Sequence, residues 1–377
     1  MREATDALPR TIALLQRGRQ DGLHVGAQLY VSLRGEPIAD LALGEAKPGV
    51  PMRTDTLTLW FSSGKPITAV AIAQFVESNR LSMDDRVSRF VPEFATGGKA
   101  EITIRHLLTH RGGFRDADKL PDDLPWEEMI ARICATPMES GWTLGEEAGY
   151  HLFSSWFMLG EIVRRVDGRP IHQYAREMIL EPLGMHDSWL GVPAERLAAY
   201  GDRIGSVFVS TVGLLAPYSQ WNSQQAIAAH RPGSNVRGPI RELARFYESL
   251  LAILSNRVSG PAAILKPETV GNLVSRQRIG LFDNTFRHTL DFGLGFLINS
   301  NRYGAETVPY GYGRHASESA FGHSGSQSSC AFADPGYQLV VAWACNGLPG
   351  EPRHQRRARE INTAIYEDLA LTSAPSA

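Results

Sequence analysis

Thr56-Leu57-Thr58-Leu59-Trp60-Phe61-Ser62-Ser63-Gly64-Lys65-Pro66-Ile67 is the most informative stretch of this 377-residue chain. Thr56 to Trp60 alternates β-branched and apolar residues and reads as a short strand. Ile67, Val70, Ala71, Gln74 and Phe75 follow at helical spacing, and Pro66 suits the first turn of a helix. Ser62 therefore falls at a strand-to-helix turn. Ser62 and Lys65 are three apart, and on a helix residues three apart share a face. A serine hydroxyl is a weak nucleophile until a base takes its proton. A lysine amine can do so when burial or nearby positive charge lowers its pKa; an arginine cannot. At such a turn the serine N–H and the helix N-terminus also point positive charge at an incoming oxyanion. The plain alternative is a surface lysine beside an N-capping serine. With five lysines, about one chain in three of this composition carries S-x-x-K by chance, so the motif needs its context.

The lysine count is itself unusual. Of 38 basic residues only Lys47, Lys65, Lys99, Lys119 and Lys266 are lysine, and 33 are arginine. The formal net charge is -2, which gives no case for a nucleic-acid or anionic-membrane partner. No apolar run approaches the ~18 residues of a membrane span, and Met1 to Gly22 reads as an amphipathic helix, with Leu8, Ile12 and Leu15 on one face, and not as a signal peptide. Cys134, Cys330 and Cys345 are odd in number and lack metal-ligand spacing, which fits buried thiols in a reducing cytoplasm.

Length alone allows about two to three domains. Val25 to Leu33 and Ile38 to Leu43 flank an Arg34-Gly35-Glu36-Pro37 turn and read as a hairpin. Ser328 to Ala333 and Tyr337 to Cys345 flank Asp334-Pro335-Gly336 as a second, followed by a charged helix from Arg353 to Leu371. Between them lie helical patterns at Trp126 to Cys134, Ser155 to Val166, Ile171 to Ile179 and Ile240 to Leu254. Strands at both ends and helices between predict an α/β chain of the α+β type. The expected division is a sheet domain from residues 1–66 and 271–377 with a mainly helical domain, 67–270, inserted, and a site at the seam.

Four further stretches add to the motif: His106-Leu107-Leu108-Thr109-His110-Arg111-Gly112-Gly113; Gly149-Tyr150-His151-Leu152 with Leu159-Gly160-Glu161-Ile162-Val163; Leu183-Gly184-Met185-His186-Asp187-Ser188; and Gly322-His323-Ser324-Gly325-Ser326. With Ser62 to Lys65 they resemble the serine β-lactamase-like superfamily. The branch most similar holds class C β-lactamases, D-amino-acid peptidases and amidases, and family VIII carboxylesterases. The resemblance runs from about 25 to 370 with the motifs in order. It implies the β-lactamase/DD-peptidase-like fold, an antiparallel sheet flanked by helices. It implies Ser62 as the acylated nucleophile, Lys65 as its base or partner to it, and Tyr150 as the catalytic tyrosine of Y-x-N. A phenolate is expected at Tyr150 from a neighbouring ammonium, with Lys65 and Tyr150 titrating as a coupled pair.

By the same resemblance, His323-Ser324-Gly325 is the third motif. His323 is expected to donate a hydrogen bond to substrate or to the Tyr150 oxygen, and the oxyanion hole is the N–H of Ser62 and of Ser326. Two positions depart from the pattern. Leu152 stands where β-lactamases have the Asn that contacts the substrate amide, and His323 stands where many members have the lysine of K-T-G. Both favour a less polar acyl group.

Other constellations carry less. His106 and His110 lack a third ligand, so no metal is expected, nor a cofactor. Trp60, Phe61, Phe114, Trp156, Tyr218 and Trp221 read as core more than as pocket. The 200–238 stretch is long enough for a lid, on length alone. The expectation is a carboxylesterase acting through an acyl-enzyme on short-chain or small aromatic esters. A β-lactamase or D-amino-acid amidase, an acyltransferase and a penicillin-binding-like protein are the alternatives.

Overall fold

The two hairpins expected at opposite ends of the chain pair with one another. In a computed structural model, which describes residues 6–121, 124–211, 214–258, 260 and 263–373, strand β1 (Gly26–Leu33) lies antiparallel to the strand Leu339–Cys345, with Ala27 opposite Cys345 and Leu33 opposite Leu339. The full sheet adds β2 (Glu36–Lys47), β3 (Val50–Pro51), β4 (Asp291–Phe292), β5 (Leu297–Ile298), β6 (Phe321–Gly325) and β7 (Ser329–Asp334), so that Leu339–Cys345 is β8. Its order is β4-β5-β6-β7-β8-β1-β2-β3, antiparallel throughout.

The unbroken apolar run of β8 follows from burial on both faces. Leu339, Val341, Trp343 and Cys345 pack with Ile361, Ile365 and Tyr366 of α5 (Glu351–Asp368) and with Leu8, Ile12 and Leu15 at α1 (Pro9–Gln20). Val340, Ala342 and Ala344 turn to the opposite face, joining the cluster that contains Phe246, Tyr247 and Leu250 of α4 (Ile240–Leu254). Side chains alternate along a strand, so one sequence serves both layers. Small residues in this strand and in β7 (Ala331, Ala333) let α4 lie close. Thus α4, although inside the 67–270 stretch, covers the sheet.

The expected helix after the Ser62 turn is α2 (Lys65–Glu77), with Pro66 in its first turn. Every residue from Lys65 to Ala73 is buried, as is Phe75. A helix apolar on all sides belongs in the interior, and α2 runs between the sheet and the helical layer that includes α3 (Ser154–Asp167). The strand before it is shorter than expected, Thr58–Leu59, and pairs with Val236–Gly238, which also pairs with Trp189–Leu190.

The 200–238 stretch is not a plain loop. It contains paired strands Phe208–Thr211 and Leu214–Pro217, short helices Ser219–Asn222 and Gln224–Ala228, and that Val236–Gly238 strand. None of its described residues lines the cavity beside Ser62. Cys134, Cys330 and Cys345 are all buried and free. Among the described residues no helix is long and apolar enough to cross a membrane.

Candidate active site

The turn that presents Ser62 is held from several directions. Phe61 has φ +49°, a left-handed conformation that a bulky side chain adopts only when its surroundings impose it. Its ring packs edge-on to Trp221, centroids 5.1 Å apart. Trp60 donates through its N–H to Val236 O at 2.9 Å and through Nε1 to Gly238 O at 2.9 Å. Its own carbonyl accepts from Ser329 Oγ of β7 at 2.6 Å. Ser63 Oγ donates to His323 O at 3.1 Å and lies 2.9 Å from Ser329 Oγ. Gly325 completes this seam: a Cβ there would stand 2.1 Å from Trp60 O, so only glycine lets β6 approach the Ser62 turn.

Ser62 is half-buried, in the short 3-10 turn Phe61–Gly64, where the first N–H groups have no partner within the turn. Lys65 is wholly buried. Its Nζ donates to Ser62 Oγ at 3.0 Å and to the carbonyls of Leu152 and Gly233, each at 2.6 Å. Burial lowers its pKa to about 7, against the pull of the Asp118 carboxylate. A neutral amine has two N–H bonds and one lone pair. Two carbonyls that only accept can take the N–H bonds and leave the lone pair to the Ser62 hydroxyl.

Tyr150 is buried, and its phenol shares the cavity lining with Ser62. Burial pushes its pKa above the ordinary tyrosine value, opposed by the Ser62 hydroxyl and reinforced by Asp118 and Asp283. The phenolate expected from the sequence is therefore disfavoured in the resting site. Lys65 Nζ sits 5.3 Å over the Tyr150 ring centroid, and desolvation outweighs what the ammonium could give.

His323 also departs from expectation. Its Nδ1 lies 2.8 Å from Ser324 O, and a carbonyl can only accept, so Nδ1 carries the proton. Nε2 is left as an acceptor. Burial, with Lys65 nearby, lowers the ring's pKa to about 3, so it is a neutral imidazole with no proton to donate from Nε2.

One cavity of about 330 Å³ gathers Ser62, Tyr150, Leu152, His323, Ser324 and Ser326, with Lys65 behind Ser62 and Gly325 packed against Trp60. Leu152 is 52% exposed at the cavity rim, and its carbonyl, not its side chain, holds Lys65. The six aromatics considered from sequence stay outside the lining. Trp60, Phe114 and Trp156 are core, Phe61 and Trp221 form a satellite cluster, and Tyr218 packs against it.

Phe286, Phe292 and Tyr310 line the cavity instead, and the sequence carries no local sign of them. It carries none of Asp118 either, which accepts from the N–H groups of Leu152, Phe153 and Ser154 at 2.7, 3.1 and 2.8 Å. Asp283, which accepts from Tyr150 N at 3.0 Å, is a third omission. His106 caps its own helix through Thr103, and His110 Nδ1 accepts from His151 N at 3.0 Å.

A family model described as Beta-lactamase matches residues 12–365. The chain belongs to the Beta-lactamase family. Among its relatives is esterase EstB of Burkholderia gladioli, 29% identical over 52% of this chain and 55% of that protein. Another is the esterase/beta-lactamase LipL of Mycobacterium tuberculosis, 28% identical over 90% of this chain and 80% of that one. A penicillin-binding protein homologue from Caulobacter crescentus superposes with a TM-score of 0.75 at 28% identity, covering 97% of this chain and 98% of the other. This family member is a serine hydrolase.

Proposed function

We propose that the protein is a carboxylesterase that cleaves short-chain or small aromatic esters through a Ser62 acyl-enzyme. The observation that carries this is the contact of Ser62 with both Lys65 and Tyr150 at the edge of a largely apolar cavity. Lys65, as the neutral amine, takes the Ser62 proton while Oγ attacks the ester carbonyl. The oxyanion lies between the N–H groups of Ser62 and Ser326. As the C–O bond breaks, Tyr150 gives its proton to the departing alkoxide, and its phenolate forms only then, beside the Lys65 ammonium. Water attacks the acyl group and returns a proton to Tyr150. Collapse releases the acid, and Lys65 returns its proton to Ser62.

Esters suit the site because no fixed cation among the described lining residues meets a substrate carboxylate, and Leu152 offers no amide side chain. The names of EstB and LipL support the same reading. The test compares p-nitrophenyl butyrate with a chromogenic cephalosporin, expecting kcat/KM at least tenfold higher for the ester and loss of both activities in Ser62→Ala. Cephalosporin turnover equal to the ester's would make this a β-lactamase, and acylation without turnover in intact mass a penicillin-binding-like protein. Ester products with added alcohols would indicate an acyltransferase.

A further inference from the structure

The cavity beside Ser62 has a polar far end that the hydrolytic steps above do not use. There the N-terminal end of α5 contributes Glu351 and Gln355, one turn apart, and the segment before β6 contributes Tyr310. Tyr310 donates its hydroxyl to both Glu351 oxygens, at 2.8 and 2.9 Å, and Gln355 Nε2 donates to one of them at 3.0 Å. Tyr310 N in turn donates to Gln355 Oε1 at 2.7 Å, and Tyr310 is held at φ +55°. This carboxylate is positioned, yet its two oxygens offer about four acceptor sites and keep capacity to spare. Among the described residues no lysine, arginine or histidine forms an ion pair with Glu351, and it is the one charged side chain lining the cavity. Aromatic rings lead to it from the nucleophile: Tyr150 to Phe286 is 4.6 Å between centroids, and Phe286 to Tyr310 is 5.7 Å. Ring faces attract cations.

His323 is an independent second observation. It is 4% exposed and lines the same cavity, and its Nε2 has no hydrogen-bond partner. With the proton fixed on Nδ1, Nε2 can only accept. The cavity wall therefore holds a buried acceptor without a partner at His323 and an anion at Glu351. A carboxylate-bearing ligand meets repulsion at the far end, whereas a ligand rich in N–H donors is complementary.

We propose that the cavity selects esters carrying a protonated primary amine, whose ammonium docks on Glu351 against the Tyr310 ring while the ester carbonyl lies at Ser62. The inference rests on the ester-hydrolase reading for the position of the carbonyl alone. Glu351 also faces the positive end of α5, which takes up part of its field, so the expected preference is modest.

The test uses p-nitrophenyl esters of 6-aminohexanoate, hexanoate and the half-ester of adipate, at one pH. The native enzyme is expected to favour the ammonium ester over the neutral one at least fivefold in kcat/KM and to disfavour the carboxylate ester by a similar factor. Glu351→Gln should bring the ammonium-to-neutral ratio to about one, and Glu351→Lys should invert the order of the two charged esters. A neutral ester equal to or better than the ammonium ester, or a preference that survives Glu351→Gln, overturns the proposal. If none of the three esters is cleaved, the esterase reading fails by itself. Calorimetry with hexylammonium and hexanoate then tests the subsite: tighter hexylammonium binding that Glu351→Gln removes supports it, and equal binding overturns it.

Discussion

A lysine buried away from water with neutral partners is costly to keep charged, and Lys65 is in that position. Its pKa falls from 10.5 to about 7. Between those values the unfolded chain holds a proton that the native one has lost. Native stability therefore rises with pH in that window, by roughly 1.4 kcal/mol per pH unit, and the effect levels off below about 7, where both states are protonated. Lys65→Met removes this dependence. The melting temperature of the native protein should accordingly gain on that of Lys65→Met as pH goes from 7 to 9, and a gap that does not change with pH would contradict the assignment. The same titration predicts that kcat/KM of the native enzyme rises through an apparent pKa near 7. An arginine at this position would stay charged and supply no base. Under the proposed mechanism Lys65 thus has a task that the chain's 33 arginines cannot perform.

At the scale of elements, what matters is how β6 and α3 are pinned to the Ser62 turn. Gly325→Ala drives a methyl into Trp60 O and must push β6 away from Ser62. Kinetics should show at least a hundredfold loss of ester hydrolysis with Ser62 and Lys65 intact, and near-native activity would mean that β6 does not need this approach. Asp118 acts on α3. Its carboxylate collects three N–H groups at the helix start and opposes the lowering of Lys65. Asp118→Asn should cost about 1 kcal/mol through the weakened cap. It should also move the acidic limb of kcat/KM to lower pH, because a charge that favoured the ammonium is gone; a shift to higher pH would exclude that role. Both hairpins, α2 and α4 were legible in advance, because their apolar periodicity and turn residues are local. Asp118 was not, because it caps a helix more than thirty residues away from itself.

For the molecule as a whole, the Tyr150 segment is tied to the strand-rich C-terminal part by a buried ion pair. Arg278 Nη1 donates to Asp283 Oδ2 at 3.0 Å and to Thr109 O at 3.2 Å. Asp283 Oδ1 accepts from the N–H groups of Tyr150, Thr285 and Phe286. Neither side chain reaches solvent. Removing one partner strands the other charge, so Asp283→Asn should lower unfolding stability by about 3–5 kcal/mol. Denaturant titration checks this, and a loss below 1 kcal/mol would show the pair to be dispensable. Ester hydrolysis should fall in the same variant, because the main chain of Tyr150 loses its anchor.

Residue order already shows a serine at a strand-to-helix turn, a lysine one helical turn on, and sheet strands at both chain ends. These are properties of neighbouring residues, which local periodicity and side-chain chemistry expose, whereas the tyrosine and the glycine-bearing strand are legible only through the resemblance to the family's motifs. Protonation states and surroundings emerge only in the completed fold. Desolvation keeps Tyr150 protonated, Ser324 O fixes the His323 tautomer, and packing sends the sequence's conspicuous tryptophans into the core while Phe286, Tyr310 and Glu351 take the cavity wall. Charge state and wall composition depend on which distant segments exclude water from a given atom, and that is set by the completed packing of the whole chain.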